Sequence, residues 1–459
     1  MRSAEWKWGL MAAVLVLAAR PAAGQISLSI YSDGRVVVRR SFPQALQKGR
    51  NTASLTLEGL DPATLFSPDS AVTVAGVTVR YPSTPGEALG RAVGKTLSFV
   101  RGKGDTVQAT VVRVDPPQYR LADGRLLLSP PGEPLFPAEL VRQAPEASLV
   151  LDAARARSRT DLAYVTQGAT WRASYQAVIA GGSAQVTGAA TVSAQSLRAD
   201  SAEVQLVAGA INRVYQPEAK AEGGVMLADM ARAAQAPAPV EQAVGEAHVY
   251  SLPSRLSLDP GIPVTTALFP RTATPVTREF VIPGALPWRG YFGQSPESNA
   301  VPVQVWYTLQ RAKGTGFGDR PLPGGVMQIY QADDAGRLQL VGEAMIGHTP
   351  VGKNVRVQSG DAFDVTAERI QIDYTQETIP PAKRGVPSRT RVTASYAVTV
   401  TNAKDEAISV DVRENHWGTW RIVDASVPGE KLSSTESRFR LAVPANGQAV
   451  LTYTVQVES

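Results

Sequence analysis

The chain has no cysteine among its 459 residues and only three histidines. Without thiols there is no disulfide, no thiolate metal site and no cysteine to carry a lipid behind a leader, so stability must come from packing. His248, His348 and His416 stand far apart, with none of the short spacings of a zinc site, and neither metal nor cofactor is expected. Long apolar runs are as scarce: beyond the amino terminus Pro, Gly or charge interrupts every candidate, so no transmembrane segment is expected in the mature chain. A strong excess of one charge is missing too. The formal charge is +5, a mild value for this length, and it does not imply nucleic acid as a partner.

What is present begins with a leader. Arg2 and Lys7 precede an apolar run over residues 9–19, and the small residues Ala22, Ala23 and Gly24 precede Gln25. Basic, apolar and small-residue regions in that order make a secretory signal peptide, so residues 1–24 are expected to be cut away after Gly24. The apolar run is well short of the roughly 20 residues that span a bilayer, which argues against a retained anchor. The leader holds three bases (Arg2, Lys7, Arg20) and one acid (Glu5), so its loss lowers the charge by two, to +3. The product is expected in the periplasm, the cell envelope or the extracellular space. Its length suits roughly two to four domains.

The fold class expected is mainly β, with antiparallel β-sandwich domains, a small SH3/Sm-like barrel insert and an immunoglobulin-like C-terminal unit. Residues 25–89 open it as strands joining the main sheet. Ile26, Leu28 and Ile30 alternate with Ser27 and Ser29, Ser32-Asp33-Gly34 supplies a turn, and Val36 to Val38 return as a second strand, which together predict a hairpin. Residues 90–140 carry short apolar runs at 97–100, 109–114 and 125–128, set apart by turn groups such as Gly102-Lys-Gly-Asp105. Strands so short and so spaced suit a small curled barrel. Residues 149–215 are the first part of a central β domain, with Leu162, Tyr164, Trp171 and Tyr175 as its large apolar side chains. Residues 216–247, rich in Ala, Glu, Gln and Pro, read as a flexible linker.

The central domain resumes over 248–385, and 386–459 form the terminal β-sandwich. There Val392, Ala394, Tyr396, Val398 and Val400 alternate with hydroxylated or small residues, and Ile408, Val410 and Val412 follow a turn at 402–406. The two segments are expected to pair directly. Phe439, Leu441 and Val443, then Leu451, Tyr453, Val455 and Val457, complete the unit, and Trp417 and Trp420 are expected to plug its core. The strand spacing is immunoglobulin-like although the usual cysteine pair is missing.

Several phrases together resemble the bacterial family known as domain of unknown function 4139, DUF4139, which includes mucoidy-inhibitor-like envelope proteins. They are Leu162-Ala-Tyr164 with Ala169-Thr-Trp171-Arg-Ala-Ser-Tyr175, Leu322-Pro-Gly-Gly-Val326 through Tyr330, Ile346-Gly-His-Thr-Pro350, Gly360-Asp-Ala-Phe-Asp364 with Glu368-Arg369, Val398-Thr-Val-Thr-Asn402, Asp411-Val-Arg-Glu414 and Trp420-Arg-Ile422. They run in the family's order from about residue 149 to the carboxyl terminus. Ile30-Tyr31 through Val38 is similar to the family's first strand pair, and the insert from Val93-Gly94-Lys95 to one found in a subgroup. The chain departs from the family at Ser196-Leu-Arg-Ala-Asp200, where members tend to carry an Asn, Gly and Trp phrase. The long coiled coil of the mucoidy-inhibitor branch has no counterpart here. The resemblance implies a β-rich exported protein and transfers no catalytic residue.

Candidate chemistry is sparse. His348 draws interest because Asp361 and Asp364 follow on what reads as a neighbouring strand, yet a polar turn residue is the plainer account. Gly293-Gln-Ser295-Pro-Glu297 lacks the closing glycine of a nucleophile elbow, and Gly314-Thr-Gly316-Phe-Gly318 lacks the ending of a phosphate loop, so it reads as a flexible hairpin tip beside a solvated Lys313. Asp361, Asp364, Glu368 and Asp373 alternate with apolar residues as an exposed strand face does. Arg155, Arg157 and Arg159 alternate as one face of a strand, a stripe that suits acidic lipid or polysaccharide but is more simply a solvated face. The aromatics Trp288, Tyr291 and Phe292, followed by Trp306 and Tyr307, suit stacking on a sugar or anchoring a protein, against ordinary core packing for the last two. No catalytic constellation emerges. The expectation is a structural or binding protein of the envelope, not an enzyme, whose partner is an envelope protein or polysaccharide. The alternative is a carboxylate-dependent hydrolase of envelope polymers using Asp361 or Asp364.

Overall fold

Alternation of apolar and polar side chains dominates the sequence, and most of the described backbone follows it into strands. The computed structural model describes residues 25–57, 59–209, 240–244, 247–284, 298–381 and 388–458. The expected signal peptide, most of the expected linker, and Trp288, Tyr291 and Phe292 with the adjacent Gly293-to-Glu297 phrase lie outside them. Among the described residues no helix is long and apolar enough to cross a membrane. The described residues divide into two compact units, neither continuous in sequence: one takes in those within Met1–Thr170, Ser193–Leu206 and Ser254–Pro263, the other those within Trp171–Val192, Val207–Pro253 and Val264–Ser459.

In the first unit β1 (Ile26–Tyr31) and β2 (Arg35–Phe42) form the expected hairpin, with Ile30 opposite Val36 and Gly34 at φ +95° in the turn. Leu28, Ile30, Val36 and Val38 are buried on one face. Strands β3 (Gly49–Leu55) and β4 (Val72–Arg80) flank β10 (Glu146–Ala153), and β11 (Thr160–Gln167) pairs with β2. Between β4 and β10 lies the insert. It opens with helix α1 (Pro85–Arg91), a departure from the all-strand expectation, started by a reciprocal capping box between Thr84 and Glu87.

The insert's five strands are β5 (Thr96–Val100), β6 (Thr106–Arg113), β7 (Gln118–Leu121), β8 (Leu126–Leu127) and β9 (Glu133–Leu135). Their order is β8-β7-β6-β5-β9, so β8 and β9 are separate edges and the sheet is not closed into a barrel. Its core is Ala92, Leu97, Phe99, Ala109, Val111, Tyr119 and Leu140, with the Phe99 and Tyr119 rings edge to face at 5.4 Å. With two-residue and three-residue outer strands there is too little backbone to hydrogen-bond across the gap.

The second unit starts from β12 (Ala169–Ala180) and β13 (Ser183–Ala194). The chain then passes through β14 (Ala199–Ala208) of the first unit, the pair β15 (Val240–Val244) and β16 (Ala247–Ser251), and β17 (Leu256–Leu258) of the first unit again, before entering β18 (Val264–Ile282). The end of the expected linker is thus a strand. After β19 (Asn299–Val301) come β20 (Gln304–Leu309), β21 (Gly325–Ala332), β22 (Leu338–Ile346) and β23 (Val355–Asp361). The order β22-β21-β12-β13-β18 makes one stretch of sheet, and β20 joins β18 to β23. The β12–β21 pair is parallel, as is the pairing of Phe280 to Ile282 of β18 with Val410 to Val412, a departure from the antiparallel expectation.

The remaining strands are β24 (Val365–Ile379), β25 (Arg389–Asn402), β26 (Ile408–Asn415), β27 (Thr419–Ala425), β28 (Gly429–Lys431), β29 (Glu436–Val443) and β30 (Gly447–Glu458). Here the expected hairpin is corrected. β25 pairs with β24 and β30, whereas β26 pairs with β29, so residues 402–406 cross from one sheet to another instead of folding back. Asn402 is buried there, donating from Nδ2 to the Glu406 and Pro444 carbonyls at 2.9 Å each. Val398, Val400, Leu451 and Tyr453 from one sheet meet Val410, Val412, Phe439 and Leu441 from the other in a single core that includes Trp420, with Trp417 packed against it. Each fully buried aliphatic side chain contributes roughly 1.5–3 kcal/mol.

Candidate functional site

A densely hydrogen-bonded site among the described residues of the second unit grows from the inward side of β12. Trp171, Ala173, Tyr175, Ala177 and Ile179 are all buried there, as period two demands. The Trp171 indole donates to the Val207 carbonyl at 3.2 Å and lies near Tyr250. Tyr175 stacks on Phe269 at 6.1 Å, and Phe269 meets Phe317 at 6.0 Å. Gly188 faces Phe269 in the register of β13 and β18; a Cβ there would lie 2.3 Å from the ring, so only glycine lets the ring lie across the strand.

Beside these rings sits Arg311, with no exposed surface. Its Nε donates to the Phe317 carbonyl at 3.2 Å, Nη1 to the Pro350 and Lys353 carbonyls at 2.9 Å each, and Nη2 to the Arg320 carbonyl. Four of the five guanidinium donors are thereby placed on backbone acceptors. The guanidinium carbon also lies 5.2 Å from the Phe317 ring centroid, and Arg311's own N–H donates to Asn354 Oδ1 at 2.9 Å. Burial pulls the guanidinium below its ordinary pKa, while Tyr175 and Tyr250 act in the opposite sense. An arginine stays cationic through such a shift.

One cation therefore gathers two loops, residues 317–320 and 350–353, onto a single centre. Tyr175 Oη donates to the Pro323 carbonyl at 2.7 Å and Tyr250 Oη to the Pro321 carbonyl at 3.1 Å. Leu322 and Thr349 bridge through mutual backbone hydrogen bonds of 2.9 Å, and Gly324 N–H donates to His348 Nδ1 at 3.1 Å. The phrases Leu322-to-Val326 and Ile346-to-Pro350, far apart in sequence, are thus brought face to face.

The glycine-rich segment is correspondingly not a loose tip. Phe317 is buried, and Asp319 accepts from the Gly314 and Gly316 N–H groups, which hold its carboxyl below the usual range. Under this loop is a cavity of about 110 Å³ lined by Phe269, Phe317 and Leu322, with Pro270, Thr272, Gly316 and Arg320 around it. A larger hollow of about 220 Å³ in the first unit has Arg39, Arg40, Asp161 and Glu203 on its walls, so its bases and acids offset one another.

The structure disperses most other candidates. His348 is committed to Gly324, and among the described residues no group of three His, Asp or Glu is placed to hold a metal ion. Asp364 is paired with Lys404 at 3.0 Å, and Asp361, Glu368 and Asp373 are exposed on strands as the acidic alternation suggested. The arginine stripe is overturned: Arg155, Arg157 and Arg159 lie between β10 and β11, Arg157 forms a bidentate pair with Asp69, and Arg159 Nε donates to Ser41 at 2.9 Å. The Arg157 hydrogen bond drives the Asp69 carboxyl far down. Trp306 is half-buried under the Arg356 guanidinium at 4.1 Å, and Tyr307 is buried, both on β20.

His416 is buried too, 2.7 Å from Ser437 Oγ and 4.2 Å from the Trp420 ring, and burial drops its pKa to about 4. Arg311 escaped the sequence reading because a lone arginine after a strand does not announce carbonyl partners 39 and 42 residues onward. No family model matches the chain, and no curated protein matches it.

Proposed function

We propose that this chain is an exported binding protein of the bacterial envelope, cut after Gly24, that engages a protein partner through the loops gathered on Arg311. In this reading the insert is an SH3/Sm-like module, the carboxyl-terminal strands are an immunoglobulin-like sandwich, and the protein stands with the DUF4139 relatives that its phrases resemble. The observation that carries the binding reading is the saturation of Arg311 by backbone carbonyls. A guanidinium so occupied has little left to offer a substrate, but it holds two loops in one geometry before any partner arrives, and pre-organised loops lose less entropy on association. Asp364, one of the two acids that the hydrolase alternative names, is engaged by Lys404, so that alternative gains no support from it.

The test has two readouts. Mass spectrometry of the envelope fraction is expected to find a product beginning at Gln25, and a cytoplasmic product retaining Met1 would defeat export. A photo-crosslinking residue at exposed Arg271, next to the cavity lining, is expected to give one discrete protein adduct in cells, while the same probe at exposed Arg120 of the insert gives none. Adducts at neither site, or equally at both, would defeat the assignment to these loops.

A further inference from the structure

Beneath the 314–318 loop the protein keeps a hollow that its own side chains do not fill. Its volume of about 110 Å³ compares with about 150 Å³ for an apolar cavity that stays dry and takes up benzene, so it suits a branched aliphatic group. Folded interiors hold few voids larger than a water molecule, because lining atoms forfeit dispersion contacts. This one is prevented from closing. The Phe317 and Arg320 carbonyls are both fixed by Arg311, and Phe269 is wedged between Tyr175 and the bare backbone of Gly188.

The rim has a charge of one sign to spare. Arg320 lines the cavity and makes no side-chain hydrogen bond or ion pair among the described residues. The acid beside it, Asp319, turns its oxygens to the Gly314 and Gly316 N–H groups. Exposed Arg271 and Lys313 stand in sequence next to residues of the lining and the loop. An apolar hole beside a guanidinium that acts on Asp319 through charge alone, its N–H donors unspent on any described side chain, is complementary to a group that is greasy at one end and anionic within a few bonds.

We propose that this cavity is a pocket for the carboxyl-terminal residue of a partner polypeptide, the aliphatic side chain entering between Phe269, Phe317 and Leu322 and the terminal carboxylate pairing with Arg320. The inference rests on the binding reading above and names the feature of the partner that is recognised. A guanidinium meets a carboxylate through two parallel N–H donors, which fixes orientation as well as charge.

The test uses the purified mature chain and the probe acetyl-Ala-Ala-Leu, followed by saturation-transfer NMR. Saturable binding is expected, with the carboxamide form of the probe at least about tenfold weaker. Arg320→Gln is expected to bring acid and amide to equal, weak binding, and Thr272→Trp to fill the hollow and abolish binding by both. Should Thr272→Trp fail to fold, the Arg320→Gln comparison decides alone. Equal binding of acid and amide to the parent chain, unchanged binding by Arg320→Gln, or no binding at millimolar probe overturns the pocket. Free leucine binding as tightly as the peptide overturns the polypeptide source. A discrete adduct at Arg271 alongside absent peptide binding leaves the loops as an interface and removes only the carboxyl-terminal recognition.

Discussion

Two buried arginines in the same unit are satisfied in opposite ways. Arg311 is wrapped in neutral backbone carbonyls, whereas Arg369, 11% exposed at the side chain, reaches from β24 to Glu414 on β26 and leaves its Nε without a partner. The first arrangement ties loops together with acceptors that never titrate. The second bridges two sheets with a carboxylate that does, and burial raises the Glu414 pKa. A cation among dipoles is therefore a fixed rivet, while a cation opposite an acid is sensitive to pH and recovers its desolvation cost only through close pairing.

Arg311→Met should be the most damaging change. It strands four carbonyls at roughly 1 kcal/mol or more each, so a loss of at least about 4 kcal/mol is expected from urea unfolding, the same at pH 5 and pH 8. A pH-dependent loss would break the comparison. Arg369→Met should cost about 3–5 kcal/mol at neutral pH by leaving Glu414 uncompensated, and the loss should shrink toward pH 4 as the acid takes up a proton. The sign follows from the raised pKa: the protonated carboxyl is favoured in the fold, so its contribution is full below the unfolded value and lost as pH rises through the folded one. Arg369→Met with Glu414→Met should return to within about 1 kcal/mol of the parent.

The same two-sheet core contains a group of the opposite sense. His416, lowered to about 4, contributes stability above its unfolded pKa of 6.5 that is lost as pH falls. The parent chain should thus lose on the order of 3 kcal/mol between pH 6.5 and 4, and His416→Phe should flatten that limb in a pH series of unfolding curves. The smallest effect expected is from Asp319→Asn in the loop. Because the Asp319 pKa is lowered, the parent's advantage is present above 3.8 and closes as pH drops through the folded value, which thermal melts at pH 7 and pH 2 would reveal.

The contrast between local and distant information explains how legible the chain is. Ser32-Asp-Gly34 between two alternating runs specifies a hairpin within twenty residues, and the structure has it. The alternation of 392–400 and 408–412 is equally clear, but it reports which face is buried and not which strand lies alongside, so a hairpin and a crossing between sheets look the same. Arg157 reads as one tooth of a basic stripe because its real partner, Asp69, is 88 residues away. Arg311 is invisible for the same reason, although the phrases around Leu322 and Ile346 that marked the family resemblance turn out to be its surroundings.

The parallel pairing of Tyr175 with Met327 and of Phe280 with Val410 carries a kinetic consequence. Each joins segments more than a hundred residues apart, so closure entropy is spent before any ladder rewards it. The assembled sheet should form over milliseconds to seconds, after the local hairpins, and an arrested intermediate would present unpaired β12 and β18 flanks as adhesive surfaces for other copies.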